Sequence, residues 1–199
     1  MSKVDKDELV FLPLGGVGEI GMNLNLYGYG PEEKRKWIMV DCGVTFGDLT
    51  TPGVDLIYPD ISFIEANKDR LAGIVITHAH EDHYGAILDL WPRLGVPLYA
   101  TAFTAGLLEA KAAENRGSKP VPVTIVEQGS RIEVGPFEVE LVPMSHSIPE
   151  PNALVIRTRL GTVVHSGDWK IDLTPGIGRP IDIDRLKAVG EEGVRALIC

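Results

Sequence analysis

Short apolar runs, each closed by glycine, proline or polar residues, recur along most of the 199-residue chain. Residues 9–14 form the first run and read as a strand, followed by a glycine-rich turn. Residues 23–27 alternate polar and apolar, the period of a half-buried strand. Residues 36–41 read as another strand, with Gly30-Pro31 marking the turn between the two. A loop containing Pro52-Gly53 and Pro59-Asp60 leads into a predicted helix over 61–70. The apolar run 72–76 predicts a strand that ends at Thr77. A polar segment follows, then a helix to Leu94, a short strand over 97–100 and a clearer helix over 102–116. From Val121 the texture changes: residues 123–126, 137–142, 153–157 and 162–165 read as short strands between glycine, proline and serine. A helix over 184–189 precedes the apolar stretch 194–199, which reads as a buried strand. Strands and helices mixed in this way predict an α/β fold.

The length suits one substantial core, so residues 1–199 are treated as a single domain. Natural termini usually reach the surface. A chain that stops on an apolar strand is therefore expected to be part of a longer protein. No apolar run approaches the length of a membrane span, and residues 1–8 lack the apolar segment of a signal peptide. The cysteines, Cys42 and Cys199, lie far apart and read as reduced thiols of a cytoplasmic protein. A net charge of -9 argues against the usual basic footprint of a nucleic-acid binder. Bound cations would change that locally, because two zinc ions against two carboxylates and a hydroxide leave about +1 at the site.

That possibility matters because all five histidines sit in short motifs. Three fall in Thr77-His78-Ala79-His80-Glu81-Asp82-His83, where His-x-His and Asp-His put four strong metal ligands on one tight loop. A single histidine would pass for a surface polar residue. Four ligand-type residues at this spacing, at the end of an apolar strand, favour a metal site, since imidazoles and carboxylates there need partners. Imidazole nitrogen and carboxylate oxygen are the donors zinc accepts when a position is left open for water. His146, between Pro143 and Pro149, would alone be either a loop residue or a ligand; beside the first cluster it reads as a ligand. Asp168 after Gly167 is either a turn residue or a bridging ligand. His165 belongs behind the ligands or in the core, Cys42 reads as a packed thiol and Lys170 as a solvated lysine.

The His78-x-His80-x-Asp82-His83 motif resembles the signature of the metallo-β-lactamase superfamily, and Met144-Ser145-His146-Ser147, Gly167-Asp168 and Asp41 match its further motifs in order. Residues 12–21, 52–55, 77–87, 146–149, 165–170 and 191–194 are similar to the bacterial ribonuclease J family, of the β-CASP group. The resemblance implies an αββα sandwich that continues beyond residue 199, with a β-CASP domain inserted later. A distal histidine there would complete the second metal's ligands. It also implies two zinc ions sharing a hydroxide that attacks RNA, in 5′-to-3′ exonucleolytic and endonucleolytic modes. His78, His80 and His146 would hold one zinc, Asp82 and His83 the other, and Asp168 both. Asp82 and Asp168 would be the catalytic carboxylates, with Asp82 orienting the nucleophile or accepting its proton. Asp41 would steady the ligand loop. RNA would be the partner of the full-length protein, and self-association through the remaining regions is open. Two alternatives stand: a small-substrate hydrolase of the same superfamily, acting on a thioester, lactone or lactam, or a metal-binding scaffold inactive without its remainder.

Gly16-x-Gly18-x-x-Gly21 after a strand, with Asp41 downstream, also fits a dinucleotide-binding fingerprint. That fingerprint must open a helix, whereas the next segment alternates as a strand. The expectation is a tight turn beside the metal cleft.

Overall fold

In the computed structural model, which describes residues 6–115 and 120–199, the chain opens with three strands: β1 (Glu8–Gly15), β2 (Leu24–Gly30) and β3 (Lys36–Val40). A small hairpin of β4 (Thr45–Phe46) and β5 (Leu56–Ile57) precedes α1 (Ser62–Ala66) and β6 (Leu71–Val75). The ligand segment then carries α2 (Glu81–Tyr84) and α3 (Ile87–Leu94). Next come β7 (Leu98–Ala100), α4 (Ala102–Glu114) and β8 (Val123–Ile125). A second group of strands follows: β9 (Arg131–Val134), β10 (Phe137–Pro143), β11 (Asn152–Thr158) and β12 (Gly161–His165). The chain closes with α5 (Ile183–Glu192) and β13 (Ala196–Ile198).

Two sheets result, ordered β1-β2-β3-β6-β7-β8 and β13-β12-β11-β10-β9. The first is antiparallel through β3 and parallel from β3 to β8. The second is antiparallel except where β13 joins β12. Side chains alternate across each strand, and the alternation divides the core into layers. Ile38 and Val40 of β3 meet Phe137, Val139, Leu141, Leu154 and Ile156 between the sheets. Met39, Ile74 and Ile76 point outward against Ile64, Ile87, Leu90 and Leu108 of the helices. Val142, Ala153, Val155 and Val164 face α5 through Val189, Ile183 and Leu186. Helix, sheet, sheet and helix are stacked in that order, the expected αββα arrangement.

Several expectations need correction. The helix over 61–70 is broken: Asn67 leaves helical geometry, its side chain donates to the Phe63 carbonyl at 2.8 Å, and Lys68–Arg70 tightens into a 3-10 turn. Residues 24–28 of β2 are buried on both faces rather than half-buried, because β2 lies between β1 and β3. The final strand is not buried; it lies at a sheet edge with Leu197 63% exposed. Strand β9 was not anticipated, since Arg131 and Glu133 alternate with only two apolar residues. The helix over 102–116 ends at Glu114, and Arg116 lies outside the described residues, as do residues 1–5 of the polar N-terminus. Among the described residues no helix is long and apolar enough to cross a membrane.

The strand directions bring four ends together. β3 and β6 are parallel with Val40 opposite Val75, so Asp41 and Thr77 leave the first sheet side by side. β10 and β12 both run antiparallel to β11, so their C-terminal ends also coincide. Asn152 at the start of β11 ties the two sheets, its N–H donating to the Thr77 carbonyl at 3.1 Å.

Candidate metal centre

The loops leaving those four ends carry every expected ligand. His78, His80, His146 and Asp168 form one group in which each residue offers a donor atom within 4.8 Å of the others. Asp82, His83 and Asp168 form a second group on the same criterion, so Asp168 is common to both. Its Oδ2 lies 3.6 Å from His146 Nε2 and its Oδ1 lies 3.5 Å from His83 Nε2, one carboxylate oxygen turned to each group. Asp82 Oδ2 is 3.6 Å from the same His83 nitrogen. His80 Nδ1 sits 3.2 Å from both His78 Nε2 and His146 Nε2.

Those separations match a cation's donor set. Nitrogen ligands about 2.0–2.1 Å from a tetrahedral zinc are about 3.3 Å from one another. A proton on His80 Nδ1 would serve one neighbour and leave the other facing an N–H or a bare lone pair. A small cation at the centre serves all three. The residues present fit zinc by donor type and by spacing.

Hydrogen bonds behind the ligands fix their tautomers. Thr77 donates its backbone N–H to Asp41 Oδ1 at 2.7 Å and its hydroxyl to Asp41 Oδ2 at 2.8 Å. With that hydrogen committed, Thr77 Oγ1 accepts from His78 Nδ1 at 2.9 Å, which leaves His78 Nε2 as a lone pair turned inward. His83 Nδ1 donates to Asp41 Oδ2 at 2.7 Å, and its Nε2 is likewise turned inward. A carboxylate holding the far nitrogen of a ligating imidazole is the arrangement that orients the ring and raises its basicity. Asp41 is fully buried and adopts φ 62°, a left-handed conformation that costs a non-glycine residue about 1–3 kcal/mol. The three hydrogen bonds to its carboxylate hold it there.

The charges reflect this packing. Burial disfavours the charged form of His83, but the Asp41 and Asp168 carboxylates outweigh it and raise the group to about 10. Burial and the neighbouring His83 charge push His78 down to about 3. The hydrogen bond from His83, working against partial burial, holds Asp168 down at about 2. Burial alone would raise Asp41, and His83 keeps it below the usual carboxylate range. The pocket is thus an anionic cradle in which a proton on His83 holds the place of a positive charge.

His165 takes no part in either group; it is buried, with Nδ1 2.8 Å from the Tyr27 hydroxyl on the inter-sheet side. Cys42 is buried behind the loop, and burial pushes its thiol up to about 12. Lys170 is half-exposed and pairs with Asp172 at 2.9 Å.

Other residues that build the site carry no mark in the sequence. The Asn23 N–H donates to the Asp82 carbonyl at 2.9 Å and Cys42 N–H to the His83 carbonyl at 2.7 Å, lacing the ligand loop to two neighbouring strand ends. Gly43 permits that approach, since a Cβ there would come within 1.7 Å of the Asp82 carbonyl oxygen. Ser145 accepts from Ile181 N–H at 2.9 Å and donates to the Asp172 carbonyl at 2.8 Å, pinning the loop after Asp168 beside His146. Gly16, Gly18 and Gly21 all adopt positive φ, and the turn they make enters β2 rather than a helix.

A family model described as a β-lactamase superfamily domain matches residues 36–182. Ribonuclease J of Sinorhizobium meliloti is 64% identical over 193 residues, covering 97% of this chain and 34% of that protein. Ribonuclease J of Helicobacter pylori is 41% identical over 199 residues, which is 28% of its length. The chain therefore spans about a third or less of these relatives. The metallo-β-lactamase fold protein YhfI from Bacillus subtilis superposes with a TM-score of 0.55 at 16% identity, over 79% of this chain and 61% of that one; this likeness speaks to the fold alone. With the layered sandwich and the matched residues 36–182 together, the chain belongs to the β-lactamase superfamily and has the metallo-β-lactamase fold.

Proposed function

We propose that residues 1–199 are the first part of the lactamase-like domain of a zinc-dependent RNA phosphodiesterase of the ribonuclease J type. It would act in the cytoplasm as a 5′-to-3′ exonuclease and as an endonuclease. The observation that carries this reading is the pair of donor groups sharing Asp168, in a chain 64% identical to a ribonuclease J. His78, His80, His146 and Asp168 would hold one zinc ion, and Asp82, His83 and Asp168 a second. When bound, such a pair supplies Lewis acidity beside the phosphorus and makes water acidic enough to act as a nucleophile near neutral pH.

The remaining work falls to the chain. Asp82 holds its carboxylate at the mouth of the second group, where it orients the attacking water or accepts its proton. Asp41 and Thr77 hold the far nitrogens of His78 and His83, so both rings keep Nε2 aimed at the cluster without reorganisation. Asp168, 46% exposed at its side chain, forms the open side from which a phosphodiester would enter.

The test uses the full-length protein with zinc, offered 5′-monophosphorylated RNA and, separately, a chromogenic β-lactam. Cleavage of the RNA without turnover of the lactam is expected, and His80→Ala should abolish it while lowering bound zinc. Lactam turnover without RNA cleavage would give the small-substrate reading instead. Full RNA cleavage by His80→Ala with normal metal content would end the ligand assignment.

A further inference from the structure

Asn23 sits immediately before β2, and its side-chain nitrogen meets two groups of the ligand loop. Nδ2 lies 3.1 Å from the Asp82 carbonyl oxygen and 3.2 Å from His83 Nε2. The neighbours decide which way the amide faces. Reversed, its oxygen would confront the Asp82 carbonyl oxygen, two acceptors with no hydrogen between them. On the other side Gly16 makes room for Oδ1, since a Cβ at that glycine would come within 2.2 Å of it.

The side chain is not what holds the loop. The backbone N–H of Asn23 already donates to the same Asp82 carbonyl at 2.9 Å, and Cys42 and Val44 N–H groups hold the His83 and Glu81 carbonyls at 2.7 and 3.0 Å. What the amide adds is a second hydrogen aimed at His83 Nε2. That nitrogen is the one a cation in the Asp82–His83 group takes, because Nδ1 is committed to Asp41. Whether that nitrogen carries a proton or a cation, it offers this hydrogen no acceptor, while its twin stays on the Asp82 carbonyl. A half-buried donor is left beside the cation, and a donor without a partner there is costly. An anionic oxygen held at the same cation is the acceptor that restores it.

We propose that Asn23 is a substrate-binding residue whose side-chain amide donates to a phosphoryl oxygen held at the Asp82–His83 cation. This rests on the two-cation reading above. It also gives Gly16 a purpose beyond the turn: it leaves space for the amide in the orientation that points nitrogen at the centre.

Inorganic phosphate is the probe, measured as a competitive inhibitor of RNA cleavage and by direct binding to full-length, zinc-loaded protein. Wild type is compared with Asn23→Ala and with Asn23→Ser, which keeps a short polar group on the same backbone. Both variants should retain two zinc ions per chain at unchanged affinity while binding phosphate about tenfold to a hundredfold more weakly. Unchanged phosphate affinity with both cations in place would overturn the proposal. So would loss of the second zinc in both variants, which would make Asn23 a clamp on the loop. Fewer than two zinc ions in the wild type would instead remove the two-cation reading on which the proposal rests.

Discussion

Two of the clusters of charged side chains among the described residues are built in opposite ways. On the outer face of the second sheet, Glu140 is met by three arginines: Arg185 Nε at 2.6 Å, Arg157 Nη1 at 2.7 Å and Arg131 Nε at 3.3 Å. Glu192 bridges Arg157 and Arg185 again at 2.9 Å each. Each carboxylate has its donors and each guanidinium its acceptors, so the cluster is closed. At the His–Asp cluster the opposite holds: the Nε2 atoms of His78 and His146 each lie 3.2 Å from His80 Nδ1, and the two oxygens of Asp168 turn toward His146 and His83. The short hydrogen bonds to the ligand side chains lie behind them, at Asp41 and Thr77. A closed charge cluster stabilises, whereas one whose donor atoms face a common point has the form of a cation site.

The contrast can be broken in graded steps. The largest effect is expected at His80, whose Nδ1 is common to both short contacts of the first group. His80→Ala should lower RNA cleavage by the full-length protein by about a thousandfold or more, read from kcat/KM, with little change in thermal unfolding of the zinc-free form. Glu140→Gln should behave the other way. It leaves three guanidinium groups around a neutral amide and should cost about 3 kcal/mol of stability in denaturant titration, with the activity of the folded fraction intact.

The same carboxylate sets a pH window. Burial opposes its charged form, but the hydrogen bonds from Arg185 and Arg157 lower Glu140 from 4.5 to about 2. A depressed group stabilises the fold above its unfolded pKa. That contribution should therefore be complete above pH about 4.5 and disappear as pH falls toward about 2. Unfolding free energies measured across this interval should show the loss in wild type and a flatter profile in Glu140→Gln.

A smaller effect is expected at Asp41. Asn tolerates positive φ, so Asp41→Asn should fold, but it removes the charge behind His83. Zinc affinity at the second group should fall about tenfold to a hundredfold in a chelator competition, with the first group less affected. Smallest of all, Tyr27→Phe removes one buried hydrogen bond to His165. It should cost about 1 kcal/mol of stability and leave zinc stoichiometry unchanged, because His165 touches neither ligand group.

The ligand loop was legible in the sequence because its information is local: four ligand residues within six positions, at the end of an apolar run. His146 and Asp168 were legible only through their motifs. The alternation along β10 to β12 likewise exposed most of the second sheet. Residues that act across the fold were hidden. Asn23 meets Asp82 from 59 residues away, and Ser145 reaches Asp172 over 27, so neither contact has a signature along the chain. Gly43 has no signature either, because its need for a bare Cα comes from the Asp82 carbonyl packed against it. The last strand was misjudged because apolar residues alone do not reveal whether a strand pairs on one side or two.

Anomalous scattering at the zinc edge, from crystals of the full-length protein grown with zinc, tests the central claim most directly. Two peaks are predicted on either side of the Asp168 carboxylate, one within coordination distance of His78, His80 and His146 and the other of Asp82 and His83. The account is contradicted by the absence of any peak among those side chains, or by a single ion that Asp168 does not touch.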